Sequence, residues 1–195
     1  MENRFHRNIQ IPVEFKQFKV KTENDIIGEK NFEKPIDLLE LAKANSEFIA
    51  WLSSLNLKVA KARYIESRPD VRYELHVDDY RPVVKNIIKL NFIFSSFGSE
   101  MIWYDLLPGF SSVPQLNGIG EYMPIYPEHH VIEIYRHPAN SHCLIDGRHI
   151  HTLQNSSNQG VNRICYSLFM SYNNTTDKKL DWDSAIEILS PYIRN

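Results

Sequence analysis

The chain has 195 residues, and its 22 Lys and Arg against 24 Asp and Glu give a formal net charge of −2. With 43% hydrophobic and 24% charged residues it has the composition of a globular domain. The balanced charge lacks the basic surplus of proteins dedicated to nucleic acid, so duplex nucleic acid is an unlikely partner. Two cysteines, Cys143 and Cys165, argue against a disulfide scaffold and favour a reducing, cytoplasmic setting.

The domain organisation is predicted to be simple. The N-terminus has no apolar run that could form the core of a signal peptide, and no stretch approaches the roughly 18 apolar residues of a membrane span. Nothing has the composition of an interdomain linker. We therefore expect one domain over residues 1–195, with 1–60 as an N-terminal strand and helix, 61–172 as a β core and 173–195 as a C-terminal helix.

The N-terminal part is predicted to contain one strand and one helix. Residues 11–20 alternate apolar and polar side chains, which indicates a half-buried strand. From Pro35 to Leu55 apolar residues recur at intervals of three and four, which predicts a helix with one apolar face. Pro35 suits the first helical turn, and Asp37 there complements the helix dipole.

The rest of the chain is predicted to be mainly β. Runs rich in β-branched and aromatic residues predict strands at about 59–66, 71–77, 86–95, 100–106, 131–136, 143–145, 150–154 and 161–172. The segment Ser95–Ser99 is expected to join two of them as a hairpin. A short final helix is predicted from Asp181 to Ile193. The pattern favours a β-sandwich or barrel with helices packed outside.

The first candidate metal ligands stand at the end of a predicted strand. Side chains two apart on a strand point to the same face, so His76 and Asp78 should converge while Asp79 faces away. An imidazole and a carboxylate are suitable ligands for a divalent first-row metal. A surface pair at a strand end is the competing explanation.

A second pair of candidates lies near the C-terminal end of the strand-rich region. His151 and Arg163 are twelve residues apart, across what the sequence presents as a hairpin between neighbouring strands. A buried arginine needs an anionic partner, and its planar fork matches a carboxylate. The pattern indicates a third metal ligand, His151, beside a carboxylate-binding Arg163.

Together these residues resemble the Fe(II)/2-oxoglutarate-dependent oxygenases. The resemblance lies in His76-x-Asp78, the distal His151 and Arg163, and it covers about residues 70–172. Leu90–Phe94 and Met101–Tyr104 are similar to the central strand pair of a subgroup with Asn-Phe and Trp-Tyr in those strands. The segment His151–Asn155 is similar to the distal His-x-Val-x-Asn stretch of the family.

The resemblance implies a double-stranded β-helix, a jelly-roll, cupin-like barrel with the metal at one mouth. His76, Asp78 and His151 would bind Fe(II), and the co-substrate 2-oxoglutarate would bind the metal and pair with Arg163. Asn91, Tyr104 and Ser167 are further candidates for co-substrate contacts, whereas Trp103 is expected to be core. The implied reaction consumes O2, converts 2-oxoglutarate to succinate and carbon dioxide, and hydroxylates a small-molecule or peptide substrate.

One departure from the family and several alternatives stand beside this interpretation. Family members often have Ser two residues after the arginine, but this chain has Cys165 there. His149 and His151 form the alternating pair of a cupin metal site, although the Glu that completes that motif is missing. A cupin-like metal-binding or non-catalytic small-molecule-binding barrel is therefore the alternative. No regular Cys/His spacing indicates structural zinc, and no nucleophile elbow or phosphate-binding glycine loop occurs.

Two further features concern the histidines and one long irregular segment. Six of eight histidines fall within 23 positions, and all but His151 are expected to be solvated loop residues or, for His149, a less well-spaced ligand. Residues 107–126 are rich in Pro and Gly, and we expect this loop to border the active-site mouth and close over substrate.

Overall fold

In the described part of the chain, two antiparallel β-sheets face each other, and three α-helices pack on the outside of the larger sheet or beside it. The structure is a computed structural model that describes residues 4–20, 31–78, 88–94, 98–116, 122–156, 160, 162–173 and 180–194. Its strands are β1 His6–Ile9, β2 Asn31–Pro35, β3 Leu57–Ser67, β4 Val71–Arg72, β5 Ile88–Phe94, β6 Ser99–Leu106, β7 Val113–Leu116, β8 Tyr122–Ile125, β9 Val131–Pro138, β10 Cys143–Asp146, β11 Ile150–Asn155, β12 Arg163–Tyr172 and β13 Ile193–Arg194. Its α-helices are α1 Leu38–Ala44, α2 Ser46–Ser54 and α3 Trp182–Leu189.

The order of the strands defines a double-stranded β-helix. The first sheet has the order β13-β1-β10-β5-β12-β3-β2, the second has the order β4-β11-β6-β9, and β7 and β8 form a separate hairpin. Along the chain the core strands pass between the sheets: β3 in the first, β4 in the second, β5 in the first, β6 and β9 in the second, then β10, β11 and β12 in the first, second and first. The predicted jelly-roll, cupin-like barrel is confirmed.

The main hydrophobic core lies between the helices and the outer face of the first sheet. Leu90 and Phe92 of β5 point to this face, and Phe48 of α2 packs edge-on against Phe92. Phe15, from the N-terminal segment, stacks on Phe92 with ring centroids 3.8 Å apart. Because successive side chains of a strand alternate between faces, Lys89, Asn91 and Ile93 of β5 point into the barrel.

The strand predicted over residues 11–20 is wrong. This segment has no regular secondary structure, although Phe15 is buried in the main core. The side chain of Asn45 accepts a hydrogen bond from the Lys16 backbone N–H (2.6 Å) and donates one to the Lys16 carbonyl (3.2 Å). The backbone at this point is therefore satisfied without a neighbouring strand.

The helix predicted from Pro35 to Leu55 is two shorter helices. Pro35 belongs to β2, an edge strand where its missing N–H is tolerated. Asp37 caps α1, accepting hydrogen bonds from the backbone N–H groups of Leu39 and Glu40. The helical path breaks at Asn45, whose side chain is engaged with Lys16.

The predicted pairing of β5 with β6 is wrong, because these strands lie in different sheets. Residues 95–97 of the proposed hairpin lie outside the described residues, as does Asp79. The predicted strand 71–77 is regular only over Val71–Arg72, with two isolated bridges at His76, to Ile125 and to His151. The C-terminal helix ends at Leu189, and Ser190–Tyr192 continue as a single 3-10 turn that contains Pro191.

Among the described residues, no helix has both the length and the apolar character needed to cross a membrane.

Candidate metal centre and its cavity

The structure brings His76, Asp78 and His151 together. One ligand atom from each lies within 4.8 Å of the others. His76 Nε2 is 4.0 Å from Asp78 Oδ1, and His151 Nε2 is 3.5 Å from Asp78 Oδ2. Ligand atoms at about 2.0–2.2 Å from one ion would be somewhat closer together than this, a difference that small side-chain rotations cover.

Backbone pairing explains why residues 75 positions apart meet. The His76 N–H donates to the His151 carbonyl (3.0 Å), and the His151 N–H donates to the His76 carbonyl (2.9 Å). The two histidines are thus a directly opposed cross-strand pair, and their ring centroids are 4.6 Å apart. The Asp78 N–H donates to the Gly147 carbonyl (3.0 Å), which holds the carboxylate beside them.

Both imidazole rings are held with Nε2 available to a metal. Nδ1 of His76 lies 2.7 Å from the Glu74 carbonyl oxygen, and Nδ1 of His151 lies 2.7 Å from the His149 carbonyl oxygen. A carbonyl oxygen only accepts, so each Nδ1 carries the proton and each Nε2 keeps its lone pair. Burial lowers the pKa of His151 to about 3, so this ring stays neutral and ready to bind at physiological pH.

The Asp78 carboxylate has a cationic neighbour that the sequence analysis did not identify. The Lys89 ammonium is in contact with Asp78 Oδ2, and both side chains are buried. Burial alone would raise the pKa of Asp78, but the charge of Lys89, with smaller effects of His151 and His76, holds that pKa well below its ordinary value. Asp78 is therefore an ionised ligand.

The wall opposite the triad comes from the first sheet. Lys89 and Asn91 of β5, and Arg163, Cys165 and Ser167 of β12, line the same cavity as the triad. Asn91 is the direct strand partner of Ser167. The cavity has a volume of about 90 Å³.

The sequence analysis expected His151 and Arg163 to lie on the two strands of one hairpin. They do not share a hairpin in the structure. His151 lies in the second sheet and Arg163 in the first, so the two side chains reach the cavity from opposite walls. The two residues face one cavity, as predicted, but the predicted hairpin between their strands is wrong.

Two polar atoms on this wall lack hydrogen-bond partners among the described residues. They are Nε of Arg163, whose side chain is 2% exposed, and Oδ1 of Asn91. Within the described part of the chain, no carboxylate pairs with Arg163. A buried guanidinium without an anion is costly, so this position is suited to an anionic ligand.

A second arginine at the cavity is already neutralised. Arg63 of β3 forms an ion pair with Glu33 of β2 at 2.7 Å, and both line the cavity. Of the arginines lining the cavity, Arg163 is thus the one that can take a carboxylate without breaking an existing ion pair within the described structure.

Tyr104 does not line this cavity. Met101 and Trp103 of β6 point into the barrel, so Tyr104, one residue further along, points to the other face of the second sheet. There its hydroxyl accepts a hydrogen bond from Arg72 Nη2 at 2.9 Å. Trp103 is fully buried, as expected of a core residue, and is the strand partner of His151.

Cys165, which stands where the oxygenase family often has a serine, lies on the cavity wall. Its side chain points into the barrel between Arg163 and Ser167 and lines the cavity. Burial raises the pKa of the Cys165 thiol, so the thiol stays protonated. Ser167, two residues further along the same face, places a hydroxyl in the same cavity.

Lys89 and Gly147 are the residues that the sequence analysis missed. Lys89 and Asn91 are two polar residues at alternate positions of an otherwise apolar strand, a period-two signal that could have indicated an inward-facing polar pair. Gly147 lies so close to Asp78 that a Cβ at this position would overlap the carboxylate. Its only sequence signal was a glycine after Asp146 at a strand end.

Most of the clustered histidines have other surroundings. His129 and His130 form a 3-10 turn against Phe110, and His142 accepts a hydrogen bond from the Ile93 N–H (3.1 Å). His149 packs against Phe5, and His137, expected in a loop, belongs to β9. Among the described residues, His151 is the one member of the cluster that joins the triad.

The segment 107–126 lies partly beside the triad. Ile125 of β8 pairs with His76, and the Tyr126 N–H donates to the Leu75 carbonyl (2.8 Å). Residues 117–121 lie outside the described residues. Closure of this segment over a substrate remains a prediction.

Comparisons with known proteins give only distant structural likenesses. No protein-family model matches the chain, and no curated protein matches it in sequence. A Pseudomonas putida prolyl-4-hydroxylase is 12% identical, with a TM-score of 0.41 and coverage of 73% of this chain and 74% of that one. The cupin domain of an XRE-family transcriptional regulator from Enterobacter cloacae is 15% identical, with a TM-score of 0.30 and coverage of 71% and 96%.

A third solved structure, ycfD of E. coli, is 14% identical, with a TM-score of 0.41 and coverage of 88% of this chain and 42% of that one. The strand order and the triad together define the class: a double-stranded β-helix protein with a candidate His-Asp-His metal site inside the barrel.

Proposed function

We propose that the protein is an Fe(II)- and 2-oxoglutarate-dependent oxygenase, most simply a hydroxylase. The observation that carries the proposal is the placement of a buried Arg163, which pairs with no carboxylate among the described residues, on the wall opposite the His76, Asp78 and His151 triad. Two histidines and one carboxylate leave several positions open on a six-coordinate metal, the arrangement typical of non-haem iron oxygenases.

The donor set is suited to such a metal. His76 and His151 each present Nε2, with Nδ1 bonded to a backbone carbonyl, and Asp78 is ionised. Bound iron would supply the activation of O2 and the oxidation of a C–H bond. The protein would hold the ligands in place, shield the reaction from water and orient the co-substrate.

The facing wall would hold 2-oxoglutarate. Arg163 would pair with the carboxylate remote from the metal, since its fork is pre-formed for two-point contact and it has no other anion among the described residues. Ser167 and Asn91, direct strand partners on the same wall, offer a hydroxyl and an amide within the same cavity. Tyr104 is left out of this assignment, because it points to the other face of its sheet.

The test begins with metal binding and then measures turnover. Protein purified without oxygen is titrated with Fe(II) or Mn(II), and succinate formation from 2-oxoglutarate and O2 is followed. We expect binding of one metal, loss of that binding in Asp78→Ala, and metal-dependent succinate formation. Absence of metal binding in the wild-type protein would contradict the proposal.

Arg163 gives the sharper test of the co-substrate. In the metal-loaded protein, Arg163→Met should weaken binding of the unreactive analogue N-oxalylglycine by about a hundredfold, since an ion pair and two hydrogen bonds are lost. Arg163→Lys, which keeps the charge without the fork, should have a smaller effect. Mn(II) affinity should be unchanged in both variants, which controls for folding.

The alternative is a cupin-like barrel that binds a metal or small molecule without catalysis. The buried thiol of Cys165, where the oxygenases often have a serine, is the observation that favours it. This alternative predicts metal binding without consumption of 2-oxoglutarate and no effect of Arg163→Met on ligand binding.

A further inference from the structure

The contact between Lys89 and Asp78 occupies part of the candidate metal site. The ammonium is in contact with Asp78 Oδ2, the same oxygen that lies 3.5 Å from His151 Nε2. An ion that bound Asp78 through this oxygen would lie against the ammonium, and an ion on the other oxygen, Oδ1, would still lie close to it. Two cations on one carboxylate repel each other, so the ammonium and the metal compete for Asp78.

The buried position of the pair gives this competition its strength. The side chains of Lys89 and Asp78 are 8% and 6% exposed. A buried carboxylate without a counter-charge is strongly destabilising, so a protein that folds before it binds metal needs a cation here. Within the described residues, the ammonium of Lys89 is the permanently charged group in contact with Asp78.

The same strand offers the ammonium an alternative acceptor. Asn91 lies two residues along β5 on the same face, and its Oδ1 has no hydrogen-bond partner among the described residues. A lysine side chain is long and flexible, so its ammonium can leave Asp78 and remain within the polar part of the cavity.

We propose that Lys89 is an exchangeable counter-ion of Asp78, which stabilises the barrel before metal binding and is displaced by the incoming divalent metal. Lys89 then sets the affinity of the triad for metal, acting as a positioning residue through Asp78. The inference rests on the metal-binding part of the proposed function and is independent of 2-oxoglutarate and of turnover.

Lys61 is a matched control for the variant at Lys89. Both lysines are strand partners of Phe169, Lys61 on β3 and Lys89 on β5, on opposite sides of β12. Their ammonium groups lie 5.5 and 5.8 Å from the centre of the Phe169 ring. Replacing either by Met removes one positive charge from this ring, but only the change at Lys89 removes the counter-ion of Asp78.

The experiment measures Mn(II) affinity and thermal stability in the wild type, Lys89→Met, Lys89→Arg and Lys61→Met. Loss of the competing charge-assisted contact should tighten Mn(II) binding in Lys89→Met by about tenfold to a hundredfold. Lys89→Arg and Lys61→Met should stay within about threefold of the wild type. Without metal, Lys89→Met should melt at a lower temperature than the wild type, and saturating Mn(II) should remove most of that difference.

The possible outcomes separate this inference from the proposed function. Equal or weaker Mn(II) binding in Lys89→Met, with the wild type still binding, would overturn the exchange and leave the proposed function standing. Absence of binding in all four proteins would overturn both. If Lys89→Met does not fold without metal, refolding in Mn(II) should restore it, and failure of that rescue would also overturn the exchange.

Discussion

At the scale of single residues, the candidate site depends on groups that hold a ligand as much as on the ligands themselves. The Glu74 and His149 carbonyls fix the orientation of the two imidazole rings, and Lys89 keeps Asp78 ionised. Such outer partners orient and tune metal ligands, so their loss should weaken binding while the ligands remain in place.

Gly147 provides a test of this principle. Its carbonyl accepts from the Asp78 N–H, and a Cβ at this position would overlap the Asp78 carboxylate. We expect Gly147→Ala to push the carboxylate away from the histidines and to weaken Mn(II) binding by at least about tenfold, the effect typical of lost support around a metal ligand.

A titration with Mn(II) measures this effect, and Gly160→Ala serves as the control. Gly160 also precedes a core strand, but no atom of the described residues lies within 4 Å of the position its Cβ would take, so the expected cost of a Cβ is the strain of its positive φ of 66°. Unchanged metal affinity in Gly147→Ala would show that Asp78 is not held by this close contact.

His6 gives a prediction on pH dependence. It is buried against His137 and Trp103, and burial, with smaller effects of His137 and Arg7, lowers its pKa to about 3 from 6.5. Below pH 6.5 the unfolded chain binds a proton that the folded protein does not. The free energy of unfolding should therefore fall as the pH drops from 6.5 towards 3, by about 1.4 kcal/mol per pH unit for this one group.

Urea unfolding of the wild type and His6→Phe at pH 7, 6 and 5 measures this contribution. The variant keeps an aromatic ring at this position and should show a shallower loss of stability on acidification. His142 and His151, whose pKa values are also lowered, account for part of the slope that remains. His129→Phe, at an exposed residue, is the control, and equal slopes in the wild type and His6→Phe would contradict the prediction.

At the scale of strands and helices, the features that could be predicted are those that depend on the sequence of a single strand. Period-two and β-branched patterns located the core strands from β3 to β12. The missed strands are short, and β7 and β8 each contain a proline. Propensity rules demote such segments, although a hairpin outside the two main sheets accommodates them.

The pairing of strands was harder to predict, because it depends on contacts between distant segments. Strands adjacent in sequence were expected to form hairpins. This was wrong for β5 with β6 and for β11, which carries His151, with β12, which carries Arg163, because the chain passes from one sheet to the other at both places. The prediction that Tyr104 contacts the co-substrate did not agree with the structure for a related reason. The partners of β6, which are β11 and β9, determine which of its faces points inward. The convergence of His76 and Asp78 could be predicted, because two residues on one short segment need no such information.

Asn155 illustrates how one side chain joins the two sheets. It lies at the end of β11, fully buried, and donates to the carbonyls of Ser67 and Arg68 at 2.9 Å each. It also accepts from the Ser99 hydroxyl at 2.9 Å. Ser67 ends β3 in the first sheet, and Ser99 begins β6 in the second.

Replacing Asn155 by Leu should destabilise the protein by about 2–5 kcal/mol, because three buried polar groups lose their partner. Urea unfolding measures the change, and Gln154→Leu is the control. The side chain of Gln154 is half-buried and, among the described residues, forms a hydrogen bond only with Ser156. A loss below about 1 kcal/mol in Asn155→Leu would show that this link between the sheets is not needed.

At the scale of the whole molecule, the triad is a product of the completed barrel. His76 and His151 meet only when β4 and β11 lie side by side in the second sheet, while the facing wall belongs to the first sheet. In the unfolded chain His151 is thus separated from His76 and Asp78, and contacts distant in sequence bring it to them.

Metal should therefore act mainly on unfolding. A site that forms after the rate-limiting step stabilises the native state more than the transition state, so saturating Mn(II) should slow unfolding and leave the folding rate nearly unchanged. Stopped-flow measurements in urea, with and without Mn(II), test this, and Asp78→Ala should show no metal effect. Acceleration of folding by Mn(II) would mean that the triad assembles earlier.

The pairing of β3 with β12 has a consequence for synthesis of the protein on the ribosome. Leu57 pairs with Tyr172 and Ser67 with Arg163, so the first core strand waits for its partner until Tyr172 has been translated. Until then β3 and β5 present open edges, which are templates for association with other nascent chains. Fragments that end before β12 should thus aggregate during translation. This vulnerability disappears once β12 is inserted between β3 and β5.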